Sequence, residues 1–292
     1  MIYKKPIVVA EIGCNHKGDF KIAKKMVKVA ADIGATYVKF QKRDNRYLLK
    51  EDYYKPHPNP INSYGKNYGE HREFLEFSIK QHEKLYVECK KNKIKYATSV
   101  WEKKSAESII NSNINLDYIK VPSACNLDFE LLEILCKKFK KKIHLSLGMT
   151  TKNETKKIFN FFKKFKRHRD LVFYSCTSTY PSEFKDVCLL EILRLKKEFN
   201  NKVDNISFSG HHKGIAVDIS AYTLGAEYIE RHFTLDRTWK GTDHAASLEP
   251  DGLRKLTRDL NKVYEALKYK RNILNSELYQ RKKLKRFVNL NK

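Results

Sequence analysis

The sequence lacks the features that would mark a membrane-spanning or disulfide-rich protein. Its 292 residues include only six cysteines, and none of them forms a CxxC pair. Cysteines spaced in this way do not make a disulfide framework, so we expect reduced thiols. No apolar run approaches the roughly 18–20 residues of a membrane span, and the apolar stretch in MIYKKPIVVAEIG is too short for a signal peptide. These absences predict a soluble cytoplasmic protein with no membrane partner.

Acidic residues are scarce relative to basic ones, with 34 Asp and Glu against 59 Lys and Arg, which gives a formal net charge of +25. AT-rich codons favour the abundant Lys, Asn, Ile, Tyr and Phe, so genome composition explains much of this charge. A bound anionic substrate needs only a few of the charges, and nucleic-acid binding is a further alternative. Since no known nucleic-acid-binding module is present, we do not expect nucleic acid as a partner. The chain is 41% hydrophobic, with 17 Tyr and 16 Phe, which suffices for a packed core.

Short β-rich segments alternate with amphipathic helical patterns along most of the chain. The predicted strands are Ile7–Ile12, Thr36–Phe40, Lys95–Val100, Tyr118–Val121, Ile143–Leu147, Leu171–Cys176, Ile206–Ser209 and Tyr228–Phe233. The predicted helices are Phe20–Ile33, Arg72–Lys91, Glu102–Asn111, Phe129–Phe139, Lys152–Phe165, Leu189–Glu198, Val217–Leu224 and Asp251–Leu267. This alternation predicts an α/β fold, a closed (β/α)8 TIM barrel of the usual size. An open doubly wound sheet is the alternative, but no GxGxxG follows a strand to support dinucleotide binding.

Two segments fall outside the repeat. Residues Asp44–Gly69 are expected to form a long loop after the second strand, where barrels carry functional loops. We predict a catalytic barrel over residues 1–267 and a basic C-terminal tail over residues 268–292. The tail is expected to be a solvated helix or a frayed end, with a basic docking surface as the alternative.

Polar residues stand at the carboxyl ends of the predicted strands, which face one shared pocket in a TIM barrel. Lys39 and Lys120 lie within apolar strands, and burying their ammonium groups without a partner is costly. Their convergence therefore indicates a bound anion, unless each side chain extends to the pocket rim. Neutral donors that would complete a phosphate or carboxylate site follow neighbouring strands: Ser99, Ser123, Ser146 and Ser209.

Two histidines and two carboxylates complete this set of strand-end residues. His211 and His232 end successive strands, so their rings are expected to lie close together, either as ligands of a divalent metal or as a structural pair. Glu11 and Glu230 are candidates to accept a proton or to steer a water molecule. The alternative for both carboxylates is an ion pair with a pocket lysine. Cys14 and Cys125 are expected to be packing residues.

The sequence closely resembles the catalytic barrel of the sialic acid (N-acetylneuraminate) synthase family. The motifs that carry the resemblance cover roughly residues 5–265 and are specific to that family. They are AEIGCNHKGDFKIAKKM, ATYVKFQKR, YIKVPSACN, HLSLGMTT, CTSTYP, SFSGHHKGIAVDISAYTLGA and IERHFTLDRTWKGTDHAASLEP.

The resemblance implies a synthase that joins phosphoenolpyruvate to a 2-acetamido hexose such as N-acetylmannosamine, giving a nine-carbon 2-keto acid and phosphate. The residues that match phosphoenolpyruvate-binding positions are Lys39, Gln41, Ser99, Lys120, Ser123, Ser146, Ser178 and Ser209. His211 and His232 match the ligands of a divalent metal, typically manganese, with magnesium or cobalt as alternatives. Glu11, Tyr180 and Asp243 match positions around the sugar and the reacting carbons, and Glu230 joins them as a catalytic candidate. The resemblance also implies a homodimer.

The sequence departs from the family pattern near the sugar. Many members have glutamate at the position of Cys125, aspartate at that of Gly210 and asparagine at that of Ser178. Many members also continue into a small C-terminal antifreeze-like domain, which we do not expect in this chain. N-acetylneuraminate is the leading predicted product, and a legionaminate-like or other 2-keto-3-deoxy sugar acid is the alternative. A hypothesis from a different class is a catalytically weak barrel that acts as a binding or assembly partner.

Overall fold

A computed structural model describes residues 3–286 of the chain, and within them eight parallel strands close into a barrel in chain order. The strands are β1 (Ile7–Gly13), β2 (Tyr37–Lys42), β3 (Lys95–Val100), β4 (Tyr118–Val121), β5 (Lys142–Ser146), β6 (Leu171–Cys176), β7 (Asn205–Gly210) and β8 (Tyr228–His232). The predicted (β/α)8 barrel is confirmed, and the open doubly wound sheet is excluded because β1 pairs with β8.

Helices lie between successive strands along the chain, and two more follow β8. They are α1 (Phe20–Ile33), α2 (Asn45–Leu49), α3 (Tyr68–Leu75), α4 (Ile79–Lys91), α5 (Lys103–Ile110), α6 (Phe129–Lys138), α7 (Lys152–Lys164), α8 (Glu191–Phe199), α9 (Ala216–Thr223), α10 (Pro250–Ala266) and α11 (Asn275–Leu284). Helix α1 shows why these segments are helical. Its Ala23, Met26, Val27 and Ala30 recur on one buried face, and the Asp19 side chain caps its first turn.

The segment between β2 and β3 differs from the prediction in two ways. The single helix expected over Arg72–Lys91 is wrong, because the chain breaks between α3 and α4. Ser78 begins α4 with a capping box, in which its hydroxyl accepts from the Gln81 amide and the Gln81 side chain accepts from the Ser78 amide. The expected long loop over Asp44–Gly69 is also wrong in part, because it contains α2, the start of α3 and two 3₁₀ turns.

Alternate side chains of each strand point into the barrel and outward to the helices. On β2, Val38 and Phe40 join the apolar layer beneath the helices, whereas Tyr37 joins a separate cluster inside the barrel. This inner cluster is largely aromatic: its tyrosines are Tyr37, Tyr118, Tyr174 and Tyr228. The His144 ring stacks on Tyr118 with centroids 3.6 Å apart. The barrel is therefore filled at its centre, and these rings form the floor beneath the strand ends.

The chain leaves the barrel after α10. Helix α11 has no buried residue, so the structure places a solvated helix in the predicted tail. The end of that tail, residues 287–292, lies outside the described residues, as do Met1 and Ile2, and the predicted division at residue 267 stays a prediction. Within residues 3–286, no helix has both the length and the apolar character needed to cross a membrane.

Candidate active site

One pocket opens at the carboxyl ends of the strands and has a volume of about 340 Å³, which is in the range of small-molecule sites. Every side chain predicted for the site contributes to its lining. These residues are Glu11, Lys39, Gln41, Ser99, Lys120, Ser123, Ser146, Ser178, Tyr180, Ser209, His211, Glu230, His232 and Asp243. The structure thus brings the predicted site residues together, while the role of each remains a proposal.

The strand register sets the height of these side chains. Glu11 on β1 is in register with Lys39 on β2 and with His232 on β8. On the other flank of β8, Ser209 on β7 is in register with Glu230. Because neighbours in register lie side by side around the barrel, the charged groups and the hydroxyls converge in the same layers above the aromatic floor.

The two pocket lysines are buried and paired with carboxylates. Lys39 and Lys120 are only 3% and 1% exposed, so the idea that they extend to the rim is wrong. Lys39 Nζ lies 2.7 Å from Glu11 Oε2 and 3.6 Å from Glu230 Oε1. Lys120 Nζ lies 3.3 Å from Glu230 Oε2 and 3.1 Å from the centre of the Tyr174 ring. The ion-pair alternative therefore holds for both carboxylates, and the lysines alone do not demand a bound anion.

This cluster of four charges has distinct protonation preferences. Burial lowers the pKa of Lys120 to about 8. The Glu230 carboxylate acts in the opposite direction and raises this pKa, whereas the nearby positive charge of Lys39 lowers it further. Burial also disfavours the charged form of Lys39, but Glu11 and Glu230 outweigh it and raise its pKa. Burial likewise opposes ionisation of Glu230, yet Lys120 and Lys39 bring the pKa of its carboxyl down to about 2. Glu230 is thus a permanent carboxylate at neutral pH.

Small and hydroxyl-bearing residues form a cradle on the loops after β4, β5 and β6. The Gly148 amide donates to Ser123 Oγ at 3.1 Å. A Cβ atom at Gly148 would collide with Ser178 Oγ and would lie 2.7 Å from Ser123 Oγ. The hydroxyl of Ser178 is buried without a hydrogen-bond partner. Because residue 148 is glycine, the cradle has room for a ligand atom beside the Ser178 hydroxyl. This buried donor without a partner is suited to bind an oxygen of an anion.

His211 and His232 lie side by side, with ring centroids 5.4 Å apart. The Thr177 carbonyl lies 2.7 Å from His211 Nδ1, and because a carbonyl only accepts, Nδ1 carries the proton and Nε2 keeps a lone pair. His232 Nδ1 is buried without a hydrogen-bond partner and lies 3.7 Å from Asp243 Oδ2. The Tyr180 ring packs over His211 with centroids 4.1 Å apart.

These two rings fit the requirements for metal ligands. Burial lowers the pKa of both imidazoles, which keeps them neutral as ligands must be. The unpartnered nitrogen of His232 provides a free donor atom. No group of three or more His, Cys, Asp or Glu side chains is placed to hold a metal within residues 3–286. The arrangement therefore suits an ion held by two imidazoles, with water or substrate oxygens as its other ligands.

Sequence reasoning missed two arginines of the pocket, Arg43 and Arg72. Arg43 continues the alternation of Lys39 and Gln41 past the end of β2, and this period of two is a signal that identifies it. Arg72 lies on α3, inside a segment with the wrong predicted boundary, and no sequence pattern marks it. Other pocket residues that were not predicted are Tyr68, Trp101, Pro122, Ala124, Met149, Cys176 and Thr242.

Burial disfavours the reactive thiolate form of Cys14 and of Cys125. Burial raises the pKa of the Cys14 thiol to about 11, although Arg72 partly counters it. Burial also raises the pKa of Cys125 to about 12. Both residues are therefore thiols at neutral pH, as expected of packing residues.

Comparisons with known proteins find chains of similar sequence and a similar fold. The family model described as "NeuB family" matches residues 26–272. Human N-acetylneuraminate-9-phosphate synthase is 37% identical over 265 residues, covering 89% of this chain and 70% of that protein. The N,N'-diacetyllegionaminic acid synthase of Campylobacter jejuni is 32% identical over 266 residues, covering 90% and 78%. The crystal structure of an N-acetylneuraminic acid synthetase from Leptospira borgpetersenii in complex with citrate superposes with a TM-score of 0.79 at 28% identity, covering 96% of this chain and 93% of that one.

Proposed function

The chain belongs to the NeuB family, and on that premise we propose that it is a metal-dependent synthase that condenses phosphoenolpyruvate with an N-acetylated amino sugar. The products are a nonulosonic acid and inorganic phosphate. One observation carries the proposal: a buried lysine–carboxylate cluster, a hydroxyl cradle and two neutral histidines line the same pocket. Because the human relative is more similar than the legionaminic acid synthase, we favour an N-acetylneuraminate-type product over a legionaminate-type one.

Phosphoenolpyruvate carries several negative charges, and its proposed site lies across β2 to β7. The Ser123 and Ser178 hydroxyls supply donors in the cradle. The Gly148 amide holds Ser123 Oγ in place, and a phosphate oxygen satisfies the unpartnered Ser178 hydroxyl. Lys120 adds a positive charge beside them. The proposed set is completed by Lys39, Gln41, Ser99, Ser146 and Ser209.

A divalent metal, with manganese as our proposal, would be held by His211 and His232. When bound, it supplies Lewis-acid chemistry toward the oxygen of the sugar aldehyde. Because we assign two imidazoles to the ion, we expect metal affinity to depend on substrate oxygens as well. Asp243 Oδ2 lies 3.7 Å from His232 Nδ1, and we assign to its carboxylate the role of accepting hydrogen bonds from the sugar. The Tyr180 ring covers His211 and forms one wall of the sugar site.

The proposed reaction forms a carbon–carbon bond and a bond from C2 to a water oxygen, and it breaks the bond from C2 to the phosphate oxygen. C3 of phosphoenolpyruvate attacks the aldehyde carbon, whose oxygen takes up a proton and becomes a hydroxyl group. Water adds at C2 and loses one proton, which leaves a hydroxyl group on C2. Phosphate then leaves with the electron pair of its C2–O bond, while this hydroxyl group loses its proton and becomes the keto oxygen. Glu11 is the proposed acceptor of the water proton. Glu230 stays ionised and positions the two lysines instead of transferring a proton.

We further propose that the protein acts in the cytoplasm as a homodimer. The six cysteines are free thiols, as in reducing compartments. Met149, Phe184 and Leu190 expose large apolar side chains on the loops after β5 and β6, at the same end of the barrel as the pocket. Such exposed apolar groups are typical of a protein interface. Light scattering should give twice the chain mass; a monomeric mass at micromolar concentration would contradict the dimer.

The function is tested by giving purified protein phosphoenolpyruvate, Mn²⁺ and a panel of amino sugars. The panel contains N-acetylmannosamine, its 6-phosphate, a 2,4-diacetamido sugar, and glucose as a control. We expect phosphate release that depends on an acetamido sugar, together with a new 2-keto acid detected by mass spectrometry. If folded protein releases phosphate with none of these sugars, the result would contradict the synthase function and favour a non-catalytic binding role.

A further inference from the structure

A tyrosine and a histidine that the proposed reaction does not use lie inside the barrel near Lys120. Tyr174 is on β6 and His144 is on β5, and both residues are fully buried. Lys120 Nζ lies 3.1 Å from the centre of the Tyr174 ring. An ammonium group at this distance over an aromatic face forms a cation–π contact, which is strongest where water is excluded, as it is here.

The orientation of the Tyr174 ring is set by neighbours inside the barrel. Its hydroxyl group lies 2.9 Å from His144 Nδ1. The His144 ring is stacked on the Tyr118 ring, with an angle of 4° between the two planes. Tyr118 precedes Lys120 by two residues on β4, so the two side chains lie on the same inward face of that strand. The three aromatic side chains therefore connect β4, β5 and β6 beneath the pocket and present one ring face to the ammonium group.

Lys120 has fewer carboxylate partners than Lys39. Lys39 Nζ lies 2.7 Å from Glu11 and 3.6 Å from Glu230. Within residues 3–286, Glu230 is the only carboxylate at ion-pair distance from Lys120, and it is shared with Lys39. Because a buried ammonium group with a shared counter-ion is costly, the electron-rich ring face is the second group that stabilises the charge of Lys120.

Apart from Glu230 and Lys39, the titratable groups that face Lys120 within the described part of the chain are uncharged. They are Tyr118 on β4, His144 on β5, and Tyr174 and Cys176 on β6. Burial lowers the pKa of the histidine well below its ordinary value and raises the pKa values of the two tyrosines and the cysteine. All four groups are therefore neutral at neutral pH, and none of them replaces the ring as a source of attraction for the ammonium group.

We propose that Tyr174, oriented by His144, is a positioning residue that holds the ammonium group of Lys120 in place and in its charged form. This inference rests on the proposed function, in which Lys120 binds phosphoenolpyruvate. Tyr174 is not part of the pocket lining, so it acts on the substrate through the lysine. Loss of its ring should therefore weaken the binding of phosphoenolpyruvate and leave the binding of the sugar unchanged.

The first test compares the KM values of both substrates in variants of the ring. Tyr174→Leu should raise KM for phosphoenolpyruvate about tenfold and keep the KM for the sugar, whereas Tyr174→Phe keeps the ring and should stay within about threefold of the wild type. Tyr228→Leu is the matched control, because Tyr228 belongs to the same buried cluster and no ammonium group of the described residues lies over its ring. A wild-type KM in Tyr174→Leu, or an equal rise in Tyr228→Leu, would overturn the inference.

A series of fluorinated rings separates the charge distribution of the ring from its shape. Phenylalanine at position 174 is compared with its monofluorinated and trifluorinated forms, because fluorine withdraws electrons from the ring face and changes the size of the ring little. A weaker ring face favours the neutral form of Lys120. The alkaline fall of kcat/KM for phosphoenolpyruvate should therefore begin at lower pH along the series, by about one pH unit in total.

The same pH midpoint in all three proteins of the series would show that the ring acts only through its shape, which contradicts the inference. Every member keeps an aromatic ring, so the series gives a result even if Tyr174→Leu does not fold.

A titration without substrate separates this inference from the proposed function. The ¹⁵N resonance of Lys120 Nζ, identified by its absence in Lys120→Arg, reports the protonation of that amine in the free protein. Its midpoint should fall along the same fluorine series, and a constant midpoint would refute the role of the ring whether or not the protein turns over. A folded wild-type protein that shows no condensation but a falling midpoint would instead refute the proposed function and support the contact between Tyr174 and Lys120.

Discussion

Lys120 and Glu230 form a buried ion pair across the barrel, with Nζ 3.3 Å from Oε2. Lys120 lies on β4 and Glu230 on β8, which stand on opposite sides of a closed barrel of eight strands. Glu230 also lies 3.6 Å from Lys39 on β2. The Glu230 carboxylate therefore positions both lysines that we assign to phosphoenolpyruvate. It links the carboxyl end of β8 to those of β2 and β4.

Replacing Glu230 by glutamine should destabilise the protein. The change leaves the buried ammonium groups of Lys39 and Lys120 with Glu11 as the remaining carboxylate of the cluster. Breaking a buried ion pair in this way costs about 3–5 kcal/mol of unfolding free energy. Urea unfolding should show this loss of unfolding free energy. Glu133→Gln is the control, since Glu133 pairs with Lys137 on the exposed side of α6, and it should stay close to the wild type. Equal stability of Glu230→Gln and wild type would show that the pair does not stabilise the barrel.

The affinity for phosphoenolpyruvate should fall at alkaline pH. The pKa of Lys120 is about 8 in the free protein, so its ammonium is charged below that pH and neutral above it. Lys39 has a raised pKa and stays charged, and Glu230 stays ionised, so neither accounts for a transition there. The pH profile of kcat/KM for phosphoenolpyruvate should therefore bend downward above about pH 8.

The variant Lys120→Arg provides the control for this profile, because a guanidinium group remains charged throughout the range. Its profile should lack the bend near pH 8, even if its maximum is lower than that of the wild type. A wild-type profile that stays flat to pH 10, or a bend retained in Lys120→Arg, would assign the transition elsewhere.

Adding one methyl group at Gly148 should block the cradle. The new Cβ would collide with Ser178 Oγ, and the backbone of Gly148 is not in the left-handed region, so the effect is one of space and not of backbone strain. Gly148→Ala should raise KM for phosphoenolpyruvate by about tenfold or more, which corresponds to the loss of roughly one charge-assisted hydrogen bond. Gly252→Ala, in helix α10 outside the pocket, should keep the wild-type KM. A wild-type KM in Gly148→Ala would place the phosphate elsewhere.

Removal of the metal should stop turnover, and His232 should be needed to restore it. Chelation followed by Mn²⁺ should recover the activity of the wild-type protein but not of His232→Ala, because one imidazole cannot hold the ion alone. The electron paramagnetic resonance signal of free Mn²⁺ measures binding independently of turnover. His168→Ala, in a 3₁₀ turn before β6 and away from the pocket, is the control. An active, chelator-insensitive His232→Ala would contradict the assignment.

The barrel was predictable because its strands and helices repeat with clear periods. The segment between β2 and β3 was harder, because the break between α3 and α4 depends on the Ser78 cap within a continuous helical pattern. Lys39, Lys120, His211 and His232 were predictable as polar residues at strand ends. Whether Glu11 and Glu230 neutralise the lysines depends on distances across the barrel, which the sequence does not contain. Arg72 reaches the pocket from a helix in that irregular segment, so no strand-end rule identifies it.

The most direct measurement follows the bridging oxygen of phosphoenolpyruvate. The substrate is labelled with ¹⁸O between C2 and phosphorus and is incubated with the protein, Mn²⁺ and the preferred acetamido sugar. We predict that the label appears in inorganic phosphate while an unlabelled nine-carbon 2-keto acid forms in equal amount. Label retained in pyruvate, with no sugar-derived acid, would mean hydrolysis at phosphorus and would contradict the proposed condensation.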